Sequence, residues 1–213
     1  AYVNLNNDKM SKSKGNLITA NELLEKFDSD TLRFYFSYKG PETNDMNCST
    51  LDIIQTHNKF LVGMLGNFIN RNLSFINKKF NGVIKESTVD EETVNITKEV
   101  YKSVAESFEK AEIRNAVQKI VDYISYANKY YDSNEPWLRV KDNIDEFNKI
   151  TYTCIYIMAN LANLIYPILP KASKKIKEML SFEDLKWEEE KLSGDYHIKN
   201  LDILYNRIEE KNT

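Results

Sequence analysis

The chain has 213 residues, of which 42% are hydrophobic and 29% are charged, a composition typical of one globular domain or of one domain with a smaller appendage. No stretch approaches about 18 consecutive apolar residues, so the sequence excludes a membrane-spanning segment. The formal net charge of −3 argues against strong non-specific binding to nucleic acid, because such binding depends on neutralising phosphates.

The beginning of the chain predicts a strand, a cationic loop and two short helices. Apolar and polar residues alternate over residues 2–5 as in a short strand, and a turn-forming Asn-Asn-Asp sequence follows. Thr19 or Asn21 is expected to cap the first helix. Ser29 is expected to cap the second helix, which ends at Gly40.

The rest of the chain predicts a helical bundle. Residues 40–49, rich in Asn, Asp, Thr and Pro, are the expected boundary between a first segment, 1–40, and a helical domain, 41–213. Helical periodicity predicts a long helix from Ser49 or Thr50 to Asn81, helices over about 100–108, 117–124 and 144–166, and a short helix after Pro170. The expected anchors of the polar tail are Leu201, Ile203, Leu204 and Ile208. The predicted fold is mainly α, a bundle of about five helices preceded by a strand-loop-helix segment.

Neither a metal site nor a disulfide is predicted. Cys48 and Cys154 stand alone, with no partner at ligand spacing. His57 and His197 are expected to be ordinary helix and tail residues. Unpaired cysteines fit a reducing cytoplasm, which is the expected compartment.

Residues 9–16 read Lys-Met-Ser-Lys-Ser-Lys-Gly-Asn and are the most informative motif of the chain. Lysines on flexible stems, separated by small residues such as Ser11, Ser13 and Gly15, allow a loop to close on the oxygens of a polyphosphate. The alternative is a solvated Lys/Ser loop, which is what short basic stretches usually form.

Asn67 and Arg71 are the second candidate feature. They lie four residues apart on the predicted long helix, so they stand one turn apart on one flank. Asn presents a donor beside an acceptor, and Arg can bond a base edge or a phosphate with two N–H groups or lie flat on a ring. The alternative is a solvated helix flank, which the spacing alone favours.

Trp137 is the third candidate. It follows Pro136, which presets a turn and can hold the indole at a loop-to-helix junction, where an unpaired base can stack on it. Asp132 can accept from a base amino group or cap the following helix. The alternative for Trp137 is packing between helices.

Together these motifs resemble the methionyl branch of the class I aminoacyl-tRNA synthetases. The resemblance extends over nearly the whole chain and is carried by residues 9–16, 30–35, 66–82, 127–130, 135–137 and 166–170. The first of these matches the KMSKS signature, which leucyl, isoleucyl, valyl and cysteinyl enzymes share, so it indicates the class only. Asn67 with Arg71, and the later Asn-x-Tyr and Pro-Trp sequences, are similar to the methionyl branch.

The resemblance implies that the helical domain recognises the CAU anticodon of methionine tRNA. The anticodon-binding residues that it implies are Asn67, Arg71, Asp132 and Trp137, with the tryptophan stacking near the first base.

It also implies a catalytic role for Lys9 and Lys12, with Ser11 and Ser13 beside them as ATP-binding residues. Attack of the methionine carboxylate on the α-phosphorus of ATP releases pyrophosphate, whose growing charge the lysines would stabilise. ATP as its magnesium complex is the implied substrate of the full-length enzyme, and none is expected to be bound to this chain alone.

The first class I signature, of His-x-Gly-His type, is absent from the 213 residues, and the chain opens without Met on a strand-like sequence. We therefore expect a C-terminal fragment that is inactive alone and whose partners are methionine tRNA and the catalytic domain of the same protein. Two alternatives remain open, a fragment of another class I synthetase and a non-catalytic helical scaffold.

Overall fold

A computed structural model describes residues 2–5, 8–10, 13, 16–182 and 185–210, and it confirms the predicted mainly α fold. The strands are β1 (Val3–Leu5), β2 (Asp8–Lys9), β3 (Met46–Cys48), β4 (Val83–Ile84) and β5 (Tyr196–His197). The helices are α1 (Ala20–Lys26), α2 (Ser29–Lys39), α3 (Thr50–Thr56), a π-helical segment (His57–Gly66), α4 (Asn67–Phe80), α5 (Glu91–Glu109), α6 (Ile113–Asn134), α7 (Pro136–Asp142), α8 (Ile144–Ile165) and α9 (Pro170–Leu180).

The first part of the chain forms a small sheet with two helices beside it. Strand β1 lies between β2, to which it is antiparallel, and β3, to which it is parallel. Thr19 and Glu22 cap α1 reciprocally, as a capping box. The predicted cap of α2 is wrong by one residue, because Asp28 accepts from the backbone N–H of Asp30 while Ser29 is already helical. A small core lies here, formed by Leu23, Phe27, Leu32, Tyr35, Met46, Cys48, Ile53 and Ile54.

A long helix, formed by α3, the π-helical segment and α4, runs from the small core into the larger one. Ser49 caps its start, and Asn81, in the left-handed conformation with φ 51°, ends it. The larger core is the bundle of α4, α5, α6, α8 and α9, in which every residue from Ile150 to Ile165 of α8 is buried. A helix that is apolar on all sides belongs in a core. None of the helices in the described ranges is long and apolar enough to cross a membrane.

The tail after α9 crosses the bundle and ends against the small core. Strand β5 pairs with β4, and the side chains of Leu201 and Leu204 pack on the larger core. Ile208 packs on the small core. The prediction that Ile203 is an anchor is wrong: its side chain is 50% exposed, and its carbonyl instead accepts from the ammonium of Lys175 at 2.7 Å.

Helix α2 also holds the turn between α8 and α9. The carboxylate of Asp30 accepts from the N–H of Ala172 at 2.9 Å, in the first turn of α9. Arg33, almost one turn further along α2, donates to the carbonyls of Pro167 at 2.6 Å and Ile168 at 3.0 Å. Helix α2 therefore places the carboxylate of Asp30 at the N–H groups that begin α9 and the guanidinium of Arg33 at the carbonyl groups that follow α8. The helix dipole favours an anion at a helix start and a cation at a helix end.

Candidate nucleic-acid interface

Three of the predicted recognition residues lie together where α4, the last turn of α6 and the start of α7 meet. Arg71 donates from Nη2 to Oδ1 of Asp132 at 2.6 Å. Its guanidinium carbon lies 4.8 Å from the centre of the Tyr131 ring, and that ring lies 5.5 Å from the ring of Trp137. Arg71 and Trp137 therefore lie on either side of the buried Tyr131 ring, and we call these three residues with Asp132 the Arg71 surface.

The turn between α6 and α7 brings Trp137 onto this surface. Glu135 adopts the left-handed conformation with φ 46°, and Pro136 occupies the first position of α7. Trp137 is half-buried and packs on Tyr131 of α6, so the packing between helices is observed, while stacking on a base stays a prediction. Asp132 does not cap α7: its carboxylate pairs with Arg71, and α7 begins without a side-chain cap.

The ion pair in this surface is open to solvent. The side chain of Arg71 is 36% exposed and that of Asp132 is 53% exposed. An exposed pair of this kind contributes only about 0–1 kcal/mol, so Arg71 can exchange the carboxylate for another acceptor at small cost. Burial raises the pKa of Tyr131 to about 12, so its hydroxyl is neutral at physiological pH.

Asn67 lies one turn before Arg71 and also contacts α6. Its Nδ2 donates to Oδ1 of Asn128 at 3.3 Å. Asn128 and Tyr131 are not among the contacts predicted from the sequence, although Asn128 begins the Asn-x-Tyr sequence that is similar to the methionyl branch. The signal was their spacing from Asp132, because residues 128, 131 and 132 stand at i, i+3 and i+4 on one face of α6.

A change of helical register directly precedes Asn67. The ten residues His57–Gly66 are π-helical, and the N–H of Asn67 donates to the carbonyls of both Val62 and Met64. π-Helical turns are rare and hold more residues than α-helical turns, so they rotate the residues that follow. The predicted continuous α-helix did not include this change.

The lysine motif is described only in part. Lys9 ends β2 and is exposed, with its ammonium 5.2 Å from the centre of the Tyr2 ring. Its carbonyl accepts from Nδ2 of Asn16 at 3.0 Å. Ser13 is exposed, while Ser11 and Lys12 lie outside the described residues. Lys9 and Ser13 are thus accessible from solvent.

The lysines of α9 are largely engaged within the protein. The pairs are Lys171 with Asp28, Lys175 with Asp202 and Lys177 with Glu190. Lys177 is buried, with a side chain that is 3% exposed. In the part of the chain that the structure describes, no group of three or more His, Cys, Asp or Glu side chains is placed to hold a metal ion.

Comparison with known sequences identifies the family of this chain. The family model described as "Anticodon binding domain of methionyl tRNA ligase" matches residues 84–211, and that of "tRNA synthetases class I (M)" matches residues 1–73. The chain belongs to the methionyl-tRNA ligase family.

Similar proteins of this family include the methionine–tRNA ligase 1 of Alkaliphilus oremlandii, 32% identical over 210 residues, and a methionine–tRNA ligase of Bacillus cereus, 33% identical over 210 residues. Each alignment covers 99% of this chain but only 39% and 38% of the relative, so the chain spans about two-fifths of their length.

Solved structures support the fold. The Mycobacterium tuberculosis methionyl-tRNA synthetase in complex with methionyl-adenylate superposes with a TM-score of 0.85 at 22% identity, covering 97% of this chain and 43% of that one. Its apo form gives a TM-score of 0.84 at 20% identity, covering 91% of this chain and 42% of that one.

Within the methionyl-tRNA ligase match, the candidate residues fall in both matched segments. Asn67 and Arg71 lie in the segment 1–73, whereas Asp132 and Trp137 lie in the segment 84–211. The Arg71 surface therefore joins the two segments, and it exists only when α4 is packed on α6.

Proposed function

We propose that this chain is the part of a methionine–tRNA ligase that binds methionine tRNA and reads its CAU anticodon. Asn67, Arg71, Asp132 and Trp137 are the proposed contacts. The observation that carries the proposal is the Arg71 surface, in which the partly exposed Arg71 and Trp137 both pack on the buried ring of Tyr131.

This surface has the chemistry that recognition of unpaired bases requires. Bases that are splayed out of an RNA loop stack on aromatic rings and guanidinium planes, and side chains read their edges by hydrogen bonds. Trp137 offers an accessible ring, which the buried ring of Tyr131 supports from below, Arg71 offers N–H donors, and Asn67 offers an amide beside them. Asp132 holds Arg71 through one carboxylate oxygen, and its exposed carboxylate can also accept from a base amino group.

The chain carries little positive potential for general RNA binding. Its net charge is −3, and three lysines of α9 are paired with carboxylates. Phosphate neutralisation would therefore supply only a small part of the affinity. Base contacts at the Arg71 surface are the proposed source of the rest.

The lysine motif is proposed to serve the first chemical step in the complete enzyme. There Lys9 and Lys12 stabilise the pyrophosphate that leaves magnesium-bound ATP, and Ser11 and Ser13 help to bind it. Tyr2 supports the ammonium of Lys9 by a cation–π contact of 5.2 Å. We further propose that the chain works in the cytoplasm, joined to a catalytic domain without which it forms no adenylate.

A titration of the chain with two labelled anticodon stem-loops tests the proposal. One carries CAU and the other UAU, at one fixed moderate salt concentration, since affinities depend strongly on salt. We expect a preference for CAU of about tenfold or more, which corresponds to ~1.4 kcal/mol. Equal binding of both would contradict anticodon reading, and no binding to either would favour the helical scaffold.

A further inference from the structure

The two amides of Asn67 and Asn128 are fixed in one orientation by the backbone. Nδ2 of Asn128 lies 3.2 Å from the carbonyl of Met64 and 3.0 Å from that of Ile124. A carbonyl only accepts hydrogen bonds, so the NH₂ group of Asn128 must face both of them. The oxygen of Asn128 consequently points away from the two carbonyls and towards Asn67.

The orientation of Asn67 follows from that of Asn128. Oδ1 of Asn128 lies 3.3 Å from Nδ2 of Asn67, and since this oxygen only accepts, the NH₂ group of Asn67 must face it. Among the described residues none donates to Oδ1 of Asn67. The amide of Asn67 is thus held in one of its two flip states, in which its Oδ1 and its second N–H are available to a ligand.

An unrestrained asparagine does not discriminate well between the two pyrimidines. Cytosine offers an amino donor next to a ring-nitrogen acceptor, whereas uracil offers a carbonyl acceptor next to an N–H donor. An amide that is free to flip can match either order. Arg71, one turn away, offers only donors and can anchor the carbonyl that both bases share. With that end anchored, a fixed Oδ1 accepts from the amino group of cytosine and faces the carbonyl of uracil.

We propose that Asn128 is a positioning residue that makes this site select cytosine over uracil by locking the amide of Asn67. The proposal rests on the anticodon-reading function proposed above. Asn128 itself touches no base. Its NH₂ group is fixed by two backbone carbonyls, one from α6 and one from the π-helical segment, and its oxygen in turn fixes the amide of Asn67, the side chain proposed to read the base.

The test compares the CAU and UAU stem-loops with the variants Asn128→Ala and Asn128→Ser. The serine hydroxyl can still bond the carbonyl of Ile124 four residues earlier, but it is too short to hold Asn67, so this variant keeps the helix and loses the lock. For both variants we expect the ratio of CAU to UAU affinity to fall at least threefold, mainly because UAU binds better. Asn115→Ala, on the first turn of α6 where the amide bonds Glu112, is the matched control and should keep the parent ratio.

A double-mutant comparison separates positioning from general damage. In the background of Asn67→Ala, adding Asn128→Ala should leave the ratio unchanged, because there is no amide left to lock. A parent-like ratio in both Asn128 variants, or an equal loss in the Asn67→Ala background, would overturn the proposal. If the parent chain itself binds CAU and UAU equally, the anticodon-reading function fails and this inference fails with it.

Discussion

The replacement Asp30→Ala should destabilise the chain through the start of α9, far along the sequence. Pro170 occupies the first position of α9 and has no N–H, and Leu169 before it offers no side-chain cap. The next two N–H groups, of Lys171 and Ala172, reach the carboxylate of Asp30 at 3.4 and 2.9 Å. Asp30 is fully buried, so no water replaces it at once.

The expected loss is about 2 kcal/mol. The bond from Lys171 is long, so the calculation rests mainly on the N–H of Ala172, and leaving a buried donor unsatisfied costs ~1–3 kcal/mol. The hydroxyl of Tyr205, at 3.3 Å, loses its acceptor as well. A smaller effect acts in the opposite direction: burial disfavours the charged form of Asp30 and raises its pKa, so removing the carboxylate also removes this desolvation cost and recovers part of the stability. A loss of ~2 kcal/mol is a large part of the ~5–15 kcal/mol by which domains are usually stable.

Urea denaturation followed by circular dichroism measures this loss. Asp202→Ala is the matched control, because it also removes a carboxylate beside α9 but one whose side chain is 65% exposed. The control should leave the midpoint nearly unchanged, whereas Asp30→Ala should lower it with a similar slope. If the two variants unfold at the same urea concentration, Asp30 is not the cap of α9 and the reasoning is wrong.

Three further predictions address the site, the pH response and the lysine motif. Trp137→Ala should weaken binding of the CAU stem-loop by more than ~1 kcal/mol, whereas Trp187→Ala, at a tryptophan that packs on other rings, should not; equal affinities would remove Trp137 from the site. Burial lowers the pKa of His57, so below about pH 6.5 the unfolded chain binds more protons than the folded chain. The contribution of His57 to stability should be complete above about pH 6.5 and be lost as the pH falls through the folded pKa. Urea midpoints of His57→Asn should therefore change less with pH than those of the parent chain. In the full-length enzyme, Lys12→Ala should slow adenylate formation on the order of 100-fold with little change in methionine binding, and unchanged pyrophosphate exchange would contradict that role.

The helices could be predicted because each one carries its own signal. Apolar residues recur at helical spacing in the long helix and dominate the second half of α8, and Thr19, Ser49 and Asn81 are local caps. The short strands carry no such signal. Residues 46–48 lie in a stretch that resembles a linker, and they form a strand only because β1, more than forty residues earlier, offers them an edge.

The candidate site was predictable only along one helix. The spacing of Asn67 and Arg71 places them one turn apart, but nothing local shows that α6 will lie against them. The contacts of Arg71 with Tyr131 and Asp132 join residues about sixty positions apart. The π-helical segment was missed because its apolar residues also fit α-helical spacing.

The pairing of Arg71 with Asp132 has a consequence for selectivity. In the free chain the carboxylate already balances the charge of the guanidinium, so a phosphate that arrives alone only replaces one anion by another and gains little. Under the proposed function, a base adds what Asp132 does not offer, namely a face to stack on Trp137 and an edge to form hydrogen bonds with Asn67. An RNA that presents only its phosphate backbone, without an unstacked base, is therefore expected to bind weakly. In a chain of net charge −3, this arrangement makes weak attraction to RNA in general compatible with selective binding of one loop.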